Sequence, residues 1–155
     1  MQDAVAQDAV FAGKRSSWQS AIEVFKPRIG LEIMFAGIAG VAMAQGAGLP
    51  LPQLLVLATA VFLAAASAGA LNHLVERDLD ARMSRTRGRP FVTGKLAGGS
   101  LWIAVIGLLL AVAVVSAGLA TNWLAATFVF LGALTYGVVY TMWMKRRTWL
   151  NIVVG

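Results

Sequence analysis

Cysteine is absent from this chain of 155 residues. That excludes disulfides and thiolate metal sites and leaves the redox compartment open. Charge is scarce as well: 13% of residues are charged and 59% are hydrophobic. Soluble domains carry about 25% charge, so this chain has too little polar surface to be wetted by water. A mean hydropathy of +0.75 points the same way. The first 25 residues include Asp3, Asp8, Lys14, Arg15 and Glu23 and hold no apolar core stretch, which argues against a secretory signal peptide.

What the chain does have is four apolar runs: Ile29 to Ala47, Leu54 to Leu71, Leu101 to Ala120 and Trp123 to Met144. Each is close to the ~20 residues that cross a ~30 Å hydrocarbon core as helix. Glu32 is the one charged residue in the four runs. Lipid offers the backbone no hydrogen-bond partners, so helix is the state these runs must adopt. The expectation is an all-α, polytopic membrane bundle of about four transmembrane helices. Residues 1–25 form a cytoplasmic segment and residues 26–155 a membrane domain, with a polar loop over 72–100. The alternative, a soluble protein with buried helices, fits four such runs poorly.

Basic residues orient the bundle. Lys14, Arg15, Lys26 and Arg28 precede the first run; Arg77, Arg82, Arg85, Arg87, Arg89 and Lys95 lie in the long loop; Lys145, Arg146 and Arg147 follow the fourth run. The other two connections carry none. An even number of spans separates the clusters, so all three face one side, and the positive-inside rule makes it the cytoplasm. The net charge of +6 is thus a topology signal, and nucleic-acid binding is not needed to explain it. The expected location is the cell inner (plasma) membrane, with a cytoplasmic amino terminus.

Before the first run, Ser16 and Gln19 have capping-box spacing, and Trp18, Ile22 and Phe25 recur at helical intervals. This predicts a short interfacial helix ending at Pro27, read as a membrane anchor or as a substrate gate. Small residues four apart (Ala36 and Gly40, Ala65 and Gly69, Ala113 and Ala117, Ala133 and Gly137) suit close helix packing in lipid.

The chemically informative segment runs from Asn72 to Asp80, where the second run meets water. Asn72, Glu76 and Asp80 are spaced to share one helix face, with Asp78 pointing elsewhere. Three oxygen-bearing side chains suit Mg²⁺, which takes one or two carboxylates together with substrate phosphate oxygens and water. A solvated acidic helix end paired with its own arginines is the bland alternative. Bases outnumber acids six to three from Asn72 to Lys95, so mutual neutralisation leaves cation in excess. Arginine forks match phosphate oxygens. Together these features describe a site for a diphosphate whose tail lies in lipid.

Asn72-x-x-x-Glu76-x-x-x-Asp80 resembles the N-x-x-x-D-x-x-x-D motif of the UbiA superfamily of intramembrane prenyltransferases. The run from Arg77 through Asp80, Met83, Arg85, Thr86, Arg89 and Pro90 is similar to the D-R-D-I-D-x-x-M-x-R-T-x-x-R-P of its protoheme IX farnesyltransferases, or haem O synthases. Lys26-Pro27-Arg28, then Tyr140-Thr141, Lys145-Arg146-Arg147-Thr148 and Asn151 to Gly155, resemble further runs of that group. The resemblance implies Mg²⁺-dependent transfer of a farnesyl group from farnesyl diphosphate to haem B within the lipid bilayer, giving haem O. It implies a catalytic, metal-binding set of Asn72, Glu76 and Asp80. It implies diphosphate contacts from Lys26, Arg28, Arg77, Arg85, Arg89 and Lys145.

Two features depart from the family pattern. Glu76 stands where the family has Asp. The family fold has nine helices and a second Asp-rich motif, absent here, so the expectation is an amino-terminal half, incomplete or inactive by itself and partnered by a missing carboxy-terminal half. Rival readings are a non-catalytic helical membrane subunit and a UbiA-type enzyme acting on a quinone precursor or a chlorophyll. His73 lies off the carboxylate face and reads as structural or as a metal ligand. Tyr136 and Tyr140 share a face, as interfacial anchors or diphosphate contacts. Arg28 and Glu32 have pairing distance on a helix.

The charge pattern makes a prediction about topology. Single cysteines at Gly48 and Asn122 are expected to react with impermeant thiol reagents from outside intact cells, and one at Ser84 only after permeabilisation. Labelling of Ser84→Cys from outside would overturn the four-span map.

Overall fold

The computed structural model describes residues 17–44, 48–84 and 86–144. Ser16, Arg85 and Lys145, each singled out above, lie outside the described residues. The elements are α1 (Ser17–Val24), α2 (Pro27–Met43), α3 (Leu51–Val75), the single turn α4 (Arg77–Asp80), α5 (Ser100–Ala120) and α6 (Trp123–Leu134). From α6 the chain continues as a π-helix over Thr135–Met144. No strand occurs among the described residues.

Among the described residues, three helices are long and apolar enough to cross a membrane: Leu51–Val75, Ser100–Ala120 and Trp123–Met142. The run expected to span 29–47 forms a helix of 17 residues, Pro27–Met43. At 1.5 Å per residue it covers about 26 Å, at the short end of what crosses a ~30 Å core; residues 45–47 of that run lie outside the described residues. Pro27 sets its start, because a ring at the first helical position forfeits only an amide that would have no partner there. Its end is set where Ala44 turns extended (φ −67°, ψ 133°). The second run grows at both ends, from 54–71 to Leu51–Val75. Pro52 fits the first turn, and the polar residues after Leu71 prolong the same helix.

The helix α3 is the hub, packing on α2, α5, α6 and the π-helix. Its buried residues include Ala58, Ala60, Ala64, Ala66, Ala68 and Ala70. Opposite them lie Ala113 and Ala117 of α5 and Ala126 and Ala133 of α6. The large apolar side chains point out: Leu108, Leu119, Leu124 and Phe128 are each about two-thirds to three-quarters exposed. Small residues inside and bulky ones outside are what lipid selects. Lipid tails solvate leucine as well as a protein core does, so backbone proximity and dispersion must hold the helices.

Two of the four small-residue pairs are buried in full, and in a third Gly69 is buried and Ala65 half-buried. Ala113, Ala117, Ala133, Gly69 and Gly137 are buried, and a Cβ on Gly137 would stand 3.3 Å from Leu71 Cδ2. The fourth pair is corrected. Ala36 and Gly40 are exposed, and nothing lies within 4 Å of a Cβ built on Gly40. The face of α2 that meets α3 carries Gly30 instead, against the Phe62 ring.

A satellite cluster ties the polar end together. Val24 of α1, Ala70 of α3, Phe91 of the loop and Ile106 of α5 are buried in contact, with Phe25 and Trp102 against them. The Phe91 ring meets Trp102 edge-on at 5.2 Å, an aromatic geometry with favourable quadrupole alignment. The long loop is thereby pinned to the bundle.

The alanine core predicts an asymmetry. Ala113→Leu, at a site fully closed off, is expected to destabilise the bundle by about 1–3 kcal/mol through overpacking. Val112→Leu, on the exposed face one residue away, is expected to be near neutral. Thermal melting in detergent micelles, followed by circular dichroism, measures both; equal melting points would contradict this packing.

Candidate functional site

The site forms where α3 leaves the apolar layer. Glu76 bends the helix with φ −90° and ψ 6°, yet the ladder continues through Glu76 N to Asn72 O at 3.0 Å and Asp80 N to Glu76 O at 2.8 Å. The four-residue spacing therefore survives the bend. Asn72, Glu76 and Asp80 are 3%, 1% and 3% exposed, whereas Asp78 faces outward. Glu76 is the largest of the fully buried side chains. A carboxylate so removed from water needs cationic or hydrogen-bonding company.

Cations reach this face from two other elements. Lys26 Nζ donates to Asn72 Oδ1 at 3.0 Å. Lys26 precedes Pro27, which disfavours the right-handed region for it, and it adopts the left-handed one at φ 46°, ψ 57°. For a residue with a Cβ that conformation costs about 1–2 kcal/mol. Its stem passes Gly69, with Cδ 3.5 Å from the position of an absent Cβ. From the loop, Arg89 donates to Asp80 Oδ2, in a pair largely shielded from water. Thr86 Oγ1 donates to Asp80 O at 3.0 Å, folding the loop back over the helix end.

The fourth wall is the π-helix. Thr141 is fully buried and its hydroxyl donates to Tyr136 O, five residues back, at 2.9 Å. The same oxygen accepts from Asn72 Nδ2 at 3.2 Å. The wider π turn brings Thr141 against α3 and stacks Tyr136 on Tyr140 at 5.6 Å and 9°. A sequence pattern with a 3.6-residue period does not distinguish a π from an α segment, and π segments recur at functional sites. Thr141 was not singled out as a site residue; only its place beside Tyr140 in the shared motif could have flagged it.

Of the remaining expected residues, Arg28 and Arg77 fall outside this cluster. Arg28 is strongly exposed and pairs with Glu32 at 3.4 Å. Arg77 turns to the other side of the helix, 3.7 Å from Asp78 and against Gly98. Arg85 and Lys145 lie outside the described residues. His73, placed by spacing off the carboxylate face, is 5% exposed and within electrostatic reach of both Lys26 and Arg89. Its Nδ1 has no hydrogen-bond partner among the described residues.

An apolar groove of about 440 Å³ leads away from the polar cluster. It runs between α2, α3 and α6, walled by Ala36 and Gly37, by Val61, Ala64 and Ala68, and by Phe128 and Gly132. Tyr136 closes the end nearest Asn72 and lies within electrostatic reach of Glu76 and Arg89. Ala68 stands one turn before Asn72 on the same helix.

Among the described residues, no three His, Cys, Asp or Glu side chains converge to hold a metal by themselves. The two buried carboxylates and one amide oxygen fit an ion that draws its other ligands from phosphate and water, as Mg²⁺ does. They do not fit an all-protein cage.

A model described as the UbiA prenyltransferase family matches residues 33–155. The chain is 51% identical over 132 residues to protoheme IX farnesyltransferase 2 of Paramagnetospirillum magneticum, covering 85% of this chain and 46% of that protein. It is 39% identical over 146 residues to the protoheme IX farnesyltransferase of Caulobacter vibrioides, covering 93% and 43%. It is 37% identical over 157 residues to that of Brucella ovis, covering 100% and 49%. The chain thus spans about half the length of the curated relatives it matches. No solved structure matches it.

The shared hydroxyl of Thr141 makes a prediction. Thr141→Val keeps the shape and leaves the buried amide of Asn72 without its acceptor, at an expected cost of about 1–3 kcal/mol. Asn72→Ala in that background is expected to cost less than Asn72→Ala alone. Chemical denaturation of the four proteins in micelles checks this; additive effects would show that the two side chains are not coupled.

Proposed function

Because the chain belongs to the UbiA prenyltransferase family, we propose that it carries the donor-binding side of a farnesyl transfer from farnesyl diphosphate to haem B, yielding haem O. The supporting observation is the junction of two unlike environments. A buried face of Asn72, Glu76 and Asp80, flanked by Lys26 and Arg89, adjoins an apolar groove at Tyr136. A molecule with a charged diphosphate head and an extended apolar tail fits both halves of that junction. The relatives' printed name, protoheme IX farnesyltransferase, supplies the donor and acceptor.

In this reading the head group lies against the end of α3 and the chain along α2, α3 and α6. Asn72, Glu76 and Asp80 would hold Mg²⁺, which when bound would neutralise charge on the diphosphate oxygens. Lys26 approaches from the α1–α2 corner and Arg89 from the loop, so cationic groups stand on two sides of the leaving group. As the allylic C–O bond breaks, the electron pair leaves with diphosphate, and fixed cations stabilise that charge without reorganising. The apolar walls keep water from the electron-poor farnesyl fragment until it bonds to the terminal haem vinyl carbon. The charge left on the other vinyl carbon is then taken up by water, which loses a proton to leave the hydroxyl of haem O. Tyr136, at the groove's polar end, borders the place where that bond breaks.

A chimera tests this. Residues 1–155 replace the matching segment of the Paramagnetospirillum magneticum relative, in a strain lacking its own haem O synthase, and extracted haems are separated by chromatography. The chimera is expected to make haem O. In it, Asp80→Ala is expected to lower the rate by about 10²-fold or more, the scale seen when a group stabilising developing charge is lost. Asp78→Ala is expected to retain most activity, and Glu76→Asp to be tolerated. Undiminished haem O from Asp80→Ala would sink the assignment.

A further inference from the structure

The two cations assigned to the diphosphate are both engaged elsewhere in the structure. Lys26 Nζ donates to Asn72 Oδ1 at 3.0 Å, and Arg89 holds Asp80 Oδ2. These are oxygens of the very side chains offered to a divalent cation. An ammonium and a divalent ion on one amide oxygen repel strongly in a site shielded from water. The resting site therefore uses its own cations to neutralise the face that a metal would occupy.

Lys26 is built into that role by the backbone. It is the one non-glycine residue with positive φ among the described residues. Strain of this kind persists where surrounding structure imposes it, and it gathers at functional positions. Here the imposing structure is the α1–α2 corner, fixed by Pro27 on one side and by Phe25 packed on Trp102 on the other. The slot at Gly69 then guides the stem to Asn72.

Resting on the site reading above, we propose that Lys26 couples metal binding to diphosphate binding. It occupies Asn72 Oδ1 while no diphosphate is present and moves to phosphate oxygens when diphosphate and metal arrive together. A bare divalent cation must displace the ammonium from Asn72 Oδ1 without bringing an anion to take it up. Diphosphate without metal must draw Lys26 away and leave buried carboxylates facing an anion. The metal–diphosphate pair supplies both exchange partners at once. The coupling is reciprocal, as binding linkage requires. Its consequence is a site that does not fill with metal alone, so that the carboxylate face becomes metal-loaded only with donor present.

The test uses the 155-residue chain in detergent micelles. Binding of Mn²⁺, standing in for Mg²⁺, is followed by the paramagnetic resonance of the free aqua ion, with and without inorganic diphosphate. Metal–diphosphate association in solution is subtracted from a protein-free titration. Wild type is expected to bind Mn²⁺ about tenfold tighter with diphosphate than without. Lys26→Gln keeps a donor for Asn72 and removes the charge. It is expected to bind Mn²⁺ alone about threefold tighter or better, with the coupling reduced by a similar factor. Lys26→Gly removes the charge and also relieves the positive φ, so it folds without the strain and is expected to behave in the same way. Circular dichroism confirms that each variant is folded. Unchanged Mn²⁺ affinity and coupling in both variants would overturn the proposal and leave the site reading standing. Metal and diphosphate binding without coupling in wild type would do the same. A folded wild type that binds neither would overturn the site reading and the proposal together.

Discussion

Three oxygen-bearing side chains at the end of α3 are almost wholly withdrawn from water, and two of them are carboxylates. Much else at this end of the molecule follows from that placement. A buried carboxylate is tolerated only where cations and donors are supplied at fixed positions. The strained corner at Lys26, the loop folded back through Thr86 and the ion pair of Arg89 all serve that requirement. The aromatic cluster of Phe25, Phe91 and Trp102 is what holds those suppliers in place, since it fastens the corner and the loop to the same stretch of α5.

The other end of the molecule obeys a different solvent. Lipid gives no reward for burying leucine, so the core is alanine and glycine and the bulky residues lie outside. Thin walls of alanine leave room between α2, α3 and α6, and that room is the groove. Charge and hydrocarbon therefore meet at one point, between Ala68 and Asn72 on one side and at Tyr136 on the other. A prenyl diphosphate has the same division along its length, and this is the physical basis for assigning the site to such a donor.

A site that neutralises itself at rest also protects the fold. The strained turn brings the Lys26 ammonium to Asn72, beside the buried carboxylates, and Arg89 pairs with Asp80, which offsets part of the cost of shielding that charge from water. Lys26 and Arg89 each rest on an oxygen of this face, Asn72 Oδ1 and Asp80 Oδ2, and under the proposal those oxygens have a second use. Asn72 illustrates the economy: its amide nitrogen is tied to Thr141 and its oxygen to Lys26, so its orientation is set before any ligand arrives.

Much of this was legible in the order of residues. Apolar runs of membrane length, alternating with basic clusters, determine a helical membrane bundle, because lipid leaves the backbone no other state. The four-residue spacing of Asn72, Glu76 and Asp80 determines a shared face, because the α-helix repeats at that interval. The motif likeness pointed to the same three residues and to Lys26 and Arg89. Tertiary structure alone decided which cations reach the face. Arg28 and Arg77 are as basic as Arg89, but one pairs along its own helix and the other projects from the opposite side of the turn. It alone decided that α2 ends at Met43, that Ala36 and Gly40 are left out of the packing, and that α6 opens into a π turn that delivers Thr141. Local spacing dictates which residues share a face of one helix. Which faces meet depends on how several helices and a folded loop pack at once, and no single segment carries that information.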